Sequence, residues 1–283
     1  MKRLILAAIV LFPLLTQAQW NVNLFGGFAN YFGDLQSSPY TTQQAHFAGG
    51  VGLQYDLNSH FSLLSNLNLG KVGASDAYSP QADLRARNLS FQTSISELNL
   101  LAEFNLLDLR SHKVTPYIFG GIAVYHFNPY AYDSLGRKTF LQPLSTEGEG
   151  LSQYPDRKSY PLTQFAIPFG GGIKFRVSDN IVIAYEIGLR KLFTDYLDDV
   201  STRYVDPNIL LAAKGPEALE MAYRGAELKG GAPYPYTGAP RGNAGHKDWY
   251  YFSGLRVIIA FNTKQMVEHR RQRYILDCPQ KVY

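Results

Sequence analysis

The segment 249–261 constrains the fold more than any other stretch, because the character of its side chains alternates with a period of two. Successive side chains of a strand point to opposite faces of the sheet, so this period predicts a β-strand. One face carries rings at one end and aliphatic side chains toward the other, which is typical of a strand that meets a membrane. That face comprises Trp249, Tyr251, Leu255, Val257, Ile259 and Phe261.

Seven further segments alternate in the same way. They span residues 20–28, 47–55, 61–70, 97–106, 116–127, 165–176 and 181–190. The connections between the eight segments run long, short, long, short, long, short and very long. Outer-membrane barrels have an even number of strands of about ten residues, short periplasmic turns and long extracellular loops. We therefore predict an all-β chain that forms an eight-stranded antiparallel transmembrane β-barrel of the outer-membrane type, with long extracellular loops.

Charged side chains fall on the face opposite the apolar one. Buried charges are costly unless they meet opposite charges, so we expect an ion-pair network inside a barrel that side chains fill. The fifth segment is ambiguous, because both of its faces are largely apolar. A soluble eight-stranded carrier is the alternative, and it would turn the apolar faces inward. The expected network joins Glu97, Glu103 and Glu186 with Lys174, Arg176, Arg190 and Arg256.

The N-terminal end of the chain resembles a secretory signal. Residues 1–18 have a positive start, an apolar core and a small-residue end, so we expect them to be removed and the barrel to span residues 19–262. Loss of Lys2 and Arg3 lowers the formal net charge from +4 to +2. That bias is too weak to indicate a nucleic-acid partner.

The C-terminal end, residues 263–283, is predicted to be a short basic tail in the periplasm, where both termini of an even-stranded barrel lie. It is either a solvated end or a docking segment for a periplasmic protein. A single cysteine excludes an internal disulfide. The candidate docking residues are Arg270, Arg271, Arg273, Tyr274 and Cys278.

Few residues suggest catalysis or metal binding. His126 could act as a general base at the outer rim, but no GxSxG motif accompanies it, so we interpret it as a rim histidine. The segment 194–200 carries three carboxylates but lacks the twelve-residue pattern of a calcium-binding loop. We interpret it as a solvated loop or as a segment whose carboxylates form salt bridges with Arg190 and Lys191. Glu147 and Glu149 are assigned to a flexible acidic loop. We predict no cofactor, no metal site and no enzymatic activity.

Several loop motifs together resemble a known family. They are Gly26-Gly27-Phe28 followed by Tyr31-Phe32-Gly33-Asp34-Leu35, the segment 194–201, Arg241-Gly242-Asn243 before Asp248-Trp249-Tyr250, and Cys278-Pro279. The chain thus resembles, over most of its mature length, a family of Bacteroidota outer-membrane β-barrels that includes PorG of the type IX secretion system. The resemblance marks as family-motif residues Gly33, Asp34, Asp195, Tyr196, Asp198, Asp199, Arg241, Gly242, Asp248 and Trp249.

The resemblance implies a structural function. A PorG-like barrel is an anchor in outer-membrane lipid that contacts a periplasmic ring formed by PorK and PorN. We therefore expect a non-enzymatic scaffold of the type IX secretion system. Two alternatives from other classes stay open at this point, namely a lipid-modifying outer-membrane enzyme that uses His126 and a surface adhesin that binds through the last long loop, residues 205–240.

Overall fold

The computed structural model describes residues 19–36, 38 and 41–260. The predicted signal, residues 1–18, lies outside this range, as does the basic tail with Arg270, Arg271, Arg273, Tyr274 and Cys278. The strands are β1 Gln19–Phe32, β2 His46–Asp56, β3 Phe61–Ser75, β4 Ser90–Asn105, β5 Val114–His126, β6 Tyr130–Tyr132, β7 Lys138–Phe140, β8 Thr163–Arg176, β9 Ile181–Leu192 and β10 Trp249–Ala260. The α-helices are α1 Ala82–Arg87, α2 Pro207–Lys214 and α3 Pro216–Ala222, with 3₁₀ turns at Asp76–Tyr78, Gln142–Leu144 and Gly225–Glu227.

The eight long strands close into an antiparallel barrel, which confirms the predicted fold class. Their order around the wall is β3-β2-β1-β10-β9-β8-β5-β4, and β3 pairs with β4 to complete the ring. The first and last strands pair from Asn21 with Ala260 to Phe32 with Trp249. The short hairpin of β6 and β7 extends from β4 through the pairing of Gln92 with Tyr130.

The outer face of the barrel is apolar and exposed. Phe47 is 81% exposed, Phe165 68% and Ile122 62%, and leucine and isoleucine rows cover the wall between them. Ring pairs lie at both ends of this face: Trp20 with Tyr55 near the short turns, and Phe169 with Trp249 near the long loops. Hydrocarbon bounded by aromatic girdles is the outer surface of a membrane-spanning barrel. The soluble-carrier alternative is therefore wrong.

The inward face carries the charges, as the alternation predicted. Glu97 pairs with Arg190 at 2.8 Å, and Lys174 and Arg256 both contact Glu103. Arg256 also pairs with Glu186 at 3.0 Å. Arg176 does not join this network, because it lies at the end of β8 and donates a hydrogen bond to the carbonyl of Arg110 in a short turn.

The fifth barrel strand resolves an ambiguity that its sequence left open. Ile118 and Ile122 face outward, whereas Tyr117 and Phe119 are buried inside. The Tyr117 hydroxyl donates to Glu186 at 2.7 Å. A buried phenol needs such a partner, and lipid offers none, so the tyrosine row turns inward.

Two regions of the barrel differ from what the alternation of side chains predicted. β3 and β4 pair as far as Ser75 with Ser90, well into the predicted polar loop, because buried Val72 and Phe91 continue the inward row. In β10, Tyr251 falls on the outward face but is only 7% exposed. Its partner Asn30, on the same face of β1, is also buried, so the outer wall is covered at this point.

No helix among the described residues is long and apolar enough to cross a membrane.

Candidate functional site

The long connections form a folded cap at one end of the barrel. The cap comprises residues 33–36, 76–89, 127–162 and 193–248, which carry all three α-helices and the hairpin β6–β7. Its aromatic core continues from the barrel, with Phe127 on Tyr160 at 6.2 Å and Tyr160 stacked on Tyr196 at 4.8 Å. The two longest connections, residues 127–162 and 193–248, are therefore packed structure, whereas the sequence indicated polar loops.

The end of β1 joins the cap through a buried cluster of Tyr31, Asp198 and Asp248, here called the Tyr31 cluster. The hydroxyl oxygen of Tyr31 lies 2.6 Å from Asp198 Oδ2 and 3.0 Å from Asp248 Oδ1. The other oxygens accept backbone hydrogen bonds, Asp198 from Val200 and Asp248 from Leu197, each at 2.9 Å. The cluster thus connects the barrel wall with both ends of the last loop.

The geometry of the Tyr31 cluster indicates a proton beyond that of the phenol. A hydroxyl donates one hydrogen bond, so Tyr31 can donate to only one of the two carboxyl groups. The second carboxyl contacts the hydroxyl oxygen favourably only if it is protonated and donates. Burial raises the pKa of both Asp198 and Asp248 well above the usual range, and the neighbouring charge of Asp248 raises that of Asp198 further.

A second cluster, the Arg241 cluster, lies deeper in the cap and consists of Arg241, Glu147 and Asp199. The Arg241 guanidinium donates to Glu147 Oε1 at 3.0 Å and to the Asp199 carbonyl at 2.5 Å. Glu147 also accepts the backbone N–H of Ser201 at 2.9 Å and of Thr202 at 2.8 Å. The assignment of Glu147 to a flexible loop is therefore wrong: it is 0% exposed because it caps a turn and neutralises a buried arginine.

Asp199 and its neighbours are buried, which contradicts the prediction of a solvated segment. Asp199 accepts hydrogen bonds from the hydroxyls of Thr146 at 2.5 Å and Tyr160 at 2.6 Å. The predicted salt bridges with Arg190 and Lys191 are wrong as well, because Arg190 lies inside the barrel on Glu97. Burial raises the pKa of Asp199 to about 6 even though Arg241 is adjacent.

Two more cap carboxyls carry an oxygen without a hydrogen-bond partner among the described residues. Asp195 uses one oxygen to accept from the Ser201 hydroxyl at 2.8 Å, and Glu149 uses one to accept from the Glu147 backbone at 3.2 Å. Their second oxygens are unpaired. Burial raises the pKa of Asp195 to about 7 and that of Glu149 to about 8, and the charge of Asp199 adds to the second shift. Both groups are therefore largely protonated in weakly acidic solution.

At two of the predicted motif glycines, neighbouring side chains come so close to the backbone that no Cβ atom fits. A Cβ at Gly33 would lie 2.1 Å from both Asp248 Oδ1 and the Tyr31 hydroxyl. A Cβ at Gly242 would lie 2.5 Å from Asp34 Oδ2. Asp34 Oδ2 in turn accepts the backbone N–H of Asn243 at 2.9 Å. The motif residues from distant parts of the sequence thus meet in the cap, as packing determinants around the two clusters.

A groove of about 960 Å³ lies where the cap meets the barrel wall. Outward-facing residues at the ends of β1, β9 and β10 line it, including Phe32, Lys191 and Trp249. Tyr204 and Tyr223 of the last loop line it from the cap. Trp249, the last of the predicted motif residues, therefore belongs both to the aromatic girdle and to this groove.

The predicted rim histidine and the acidic side chains of the cap are the groups to consider for catalysis or metal binding. His126 is exposed on the outer wall, and its Nδ1 is 3.0 Å from the Thr163 hydroxyl. Within the described ranges no group of three or more histidine, cysteine, aspartate or glutamate side chains could hold a metal ion. Hydrogen bonds and the Arg241 guanidinium connect the loops of the cap through these clusters. The arrangement thereby fixes the loops in one conformation.

Comparison with known proteins identifies the family of the chain. A profile described as a domain of unknown function, DUF6089, matches residues 2–208. The chain belongs to the DUF6089 family. The match includes Gly33, Asp34 and residues 194–200, whereas Arg241, Gly242, Asp248 and Trp249 lie beyond it. No curated protein matches this DUF6089 chain.

Several solved structures are similar to this DUF6089 chain at low sequence identity. Neisserial surface protein A is 10% identical with a TM-score of 0.43, over 86% of this chain and 99% of that one. Ail of Yersinia pestis, in complex with the heparin analogue sucrose octasulfate, is 8% identical with a TM-score of 0.41, over 87% and 100%. The N-terminal β-barrel domain of Pseudomonas aeruginosa OprF is 13% identical with a TM-score of 0.36, over 87% and 100%.

Proposed function

We propose that this chain is a non-enzymatic outer-membrane scaffold, a PorG-like component of the type IX secretion system that contacts a periplasmic ring of PorK and PorN type. The barrel fixes the chain in lipid, the cap faces the exterior, and the short turns and basic tail face the periplasm. Its role is positional, since it holds partner proteins at a defined place in the membrane.

The filled interior of the barrel is the observation that carries a scaffold function. Glu97, Glu103 and Glu186 occupy the lumen together with their cationic partners. The space that Glu186, Arg190 and Arg256 line is about 20 Å³, which holds about one water molecule, and the space beside Lys174 at the end with the short turns is about 120 Å³. An eight-stranded barrel filled in this way does not conduct solutes readily, so transport through the lumen is disfavoured.

The two ends of the barrel support the proposed orientation. Residues 57–60, 106–113 and 177–180 form the short turns, and β1 begins and β10 ends beside them. The cap lies at the opposite end. Short turns and termini in the periplasm with long loops outside are the arrangement of bacterial outer-membrane barrels. This orientation exposes the tail, with Arg270, Arg271 and Arg273, to periplasmic partners.

The resemblance of the loop motifs to PorG-containing barrels supports the more specific assignment. The structure brings motif residues from distant parts of the sequence together, because Gly33, Asp34 and Gly242 meet in one packed site. In the proposed function this site holds the cap, while the recognition of partners belongs to the opposite end.

Deletion of residues 263–283 tests the proposed docking. A tagged chain and its deletion variant are purified from the native membrane, and co-purifying proteins are identified by mass spectrometry. Ring proteins are expected with the full chain and lost with the deletion, together with secretion of cargo, while the barrel still inserts. Charge reversal at Arg270 and Arg271, or at Arg271 and Arg273, is expected to give the same loss, whereas reversal at Lys158 and Lys229 of the cap is the control with the same charge change.

Two results would contradict the proposal. If ring proteins co-purify equally with the deletion variant and secretion is unchanged, the tail does not dock them. If the full chain recovers no ring proteins and its removal alters the lipid A profile, the enzymatic alternative replaces the scaffold.

A further inference from the structure

We propose that the groove between cap and wall binds the headgroup of a phosphorylated glycolipid from the outer leaflet. The inference rests on the proposed orientation, which places the cap outside. The groove is lined by Lys191 and Lys247 together with the rings of Phe32 and Trp249. None of the residues in this groove has a part in the periplasmic docking proposed above.

The level of the groove along the barrel points to a lipid. Trp249 packs edge-on against Phe169 at 6.0 Å, in the girdle that ends the apolar outer face. Lys191 registers directly against Trp249 and faces outward one step beyond Leu189. A lysine just past the girdle reaches the level of lipid headgroups, where its ammonium attracts anionic phosphate.

The charges that line the groove favour an anion. Lys191 and Lys247 make no ion pair within the described ranges. The Lys247 ammonium donates one hydrogen bond to the Ala244 carbonyl at 3.1 Å, and an ammonium has further donors for a ligand. Arg87 and Arg241 also line the groove, but they pair with Asp76 at 2.8 Å and Glu147 at 3.0 Å.

Two carboxyl groups in the groove oppose this charge only in part. Asp34 accepts a backbone hydrogen bond from Asn243, and burial raises its pKa. Asp83 is exposed on α1 and is screened by solvent. The two lysines therefore dominate beside the wall, where lipid meets the protein.

The size and the rings of the groove favour a glycolipid over a simple phospholipid. About 960 Å³ is at the upper end of the ~300–1,000 Å³ of ligand clefts and far exceeds the space of one phosphate. The partly exposed rings of Phe32 and Trp249 give the lining aromatic surface, which packs against the apolar faces of sugar rings. A phosphorylated sugar with attached acyl chains would fill the groove and leave its chains on the barrel wall.

Native mass spectrometry of the mature barrel in detergent tests the proposal with four probes: bis-phosphorylated lipid A, dephosphorylated lipid A, phosphatidylglycerol and glucosamine 6-phosphate. Lipid A is expected to bind at least about tenfold more tightly than the other three, because the dephosphorylated form offers the lysines no anion, phosphatidylglycerol lacks sugar rings and glucosamine 6-phosphate lacks acyl chains. The double variant Lys191→Glu with Lys247→Glu is expected to lose this preference, whereas Lys158→Glu with Lys229→Glu, which has the same charge change elsewhere in the cap, retains it.

A further variant separates the ring contribution from the charge. Trp249→Phe keeps an aromatic girdle residue and is expected to weaken lipid A binding severalfold without changing phosphatidylglycerol binding. Folding of each variant is checked by its heat-dependent electrophoretic mobility. Equal binding of lipid A by the lysine variant and the parent would overturn the proposal. Equal binding of phosphatidylglycerol, or tight binding of the free sugar phosphate, would overturn the glycolipid assignment.

Discussion

The barrel interior and the cap both bury carboxylates, but they compensate them in opposite ways. Inside the barrel, Glu97 and Glu103 each contact at least one cation within an ion pair. In the cap, Arg241 is shared by Glu147 and Asp199, and the described carboxyls around them rely on hydrogen bonds. Buried carboxyls without cations bind protons. The carboxylates of the barrel interior are thus held by ion pairs, whereas several buried carboxyls around the Tyr31 and Arg241 clusters of the cap are held by protons.

The largest expected effect comes from removing Arg241, the cation that two buried carboxylates of the cap share. Arg241→Met leaves Glu147 and Asp199 buried without their shared partner, which costs about 3–5 kcal/mol. We expect the cap to become sensitive to limited proteolysis while the strands stay protected. Arg203→Met, which removes an exposed arginine that donates to the Gly238 carbonyl, is the control and should leave the cap resistant. If the barrel and the cap of this variant unfold together, the two regions are not stabilised independently, which would contradict the comparison.

A smaller effect is expected from neutralising one carboxylate of the barrel. Glu103→Gln keeps the shape and part of the hydrogen bonding, and Arg256 retains Glu186 at 3.0 Å, but Lys174 loses its ion-pair partner. We expect a loss of about 1–3 kcal/mol in the free energy of unfolding, measured by urea titration in lipid vesicles. Ser65→Ala on the apolar face of β3 is a control that should change this energy little. An unchanged midpoint would show that the lumen network is not structural.

The pH dependence of the cap separates the two regions further. The pKa of Asp199 is raised to about 6, that of Asp195 to about 7 and that of Glu149 to about 8. In the unfolded chain these carboxyls titrate near pH 4, so the folded cap binds more protons above that pH. Its stability is therefore complete below about pH 4 and falls as the pH rises through 6 to 8. Proteolysis rates of the cap from pH 5 to pH 9 measure this, and a rate that falls with pH would contradict it.

The smallest expected effect is a diagnostic one. Asp198→Asn replaces one of the two carboxyls of the Tyr31 cluster by a neutral amide, which can accept from the Tyr31 hydroxyl or donate to it. We expect a change in cap stability within about 1 kcal/mol at pH 5 and a weaker loss of stability toward pH 9. Asp83→Asn, at an exposed position of α1, is the control and should leave the pH slope as it is. A steeper slope in the Asp198 variant would exclude a proton in the Tyr31 cluster.

The sequence predicted the barrel because period-two alternation states directly which side of a strand is apolar. Glu97 and Leu98 are adjacent, and their opposite character places one in the lumen and the other in lipid. The fifth strand escaped this argument because Tyr117 is nearly as apolar as Ile118. What decides its direction is the hydrogen bond from Tyr117 to Glu186, a contact between distant strands.

The cap could not be predicted in the same way, because its contacts connect residues far apart in sequence without a repeating pattern. Arg241 and Glu147 meet across 94 residues. The motif residues Asp198 and Asp248 were selected by resemblance, but their burial follows only from the folded loops. Spacing along the chain suggested a solvated acidic segment, whereas the structure gathers these residues around Tyr31 and Arg241.

Hydrogen–deuterium exchange of the chain in lipid nanodiscs, compared at pH 5 and pH 9 after correction for the intrinsic rate, tests the central contrast most directly. We predict that amides of β1 to β5 and β8 to β10 stay protected at both values. Amides of residues 194–201 and 241–248 are predicted to lose protection at pH 9. Equal protection of these cap segments at both values would contradict the claim that protons hold the cap, and loss of strand protection at pH 9 would contradict the claim that ion pairs hold the barrel.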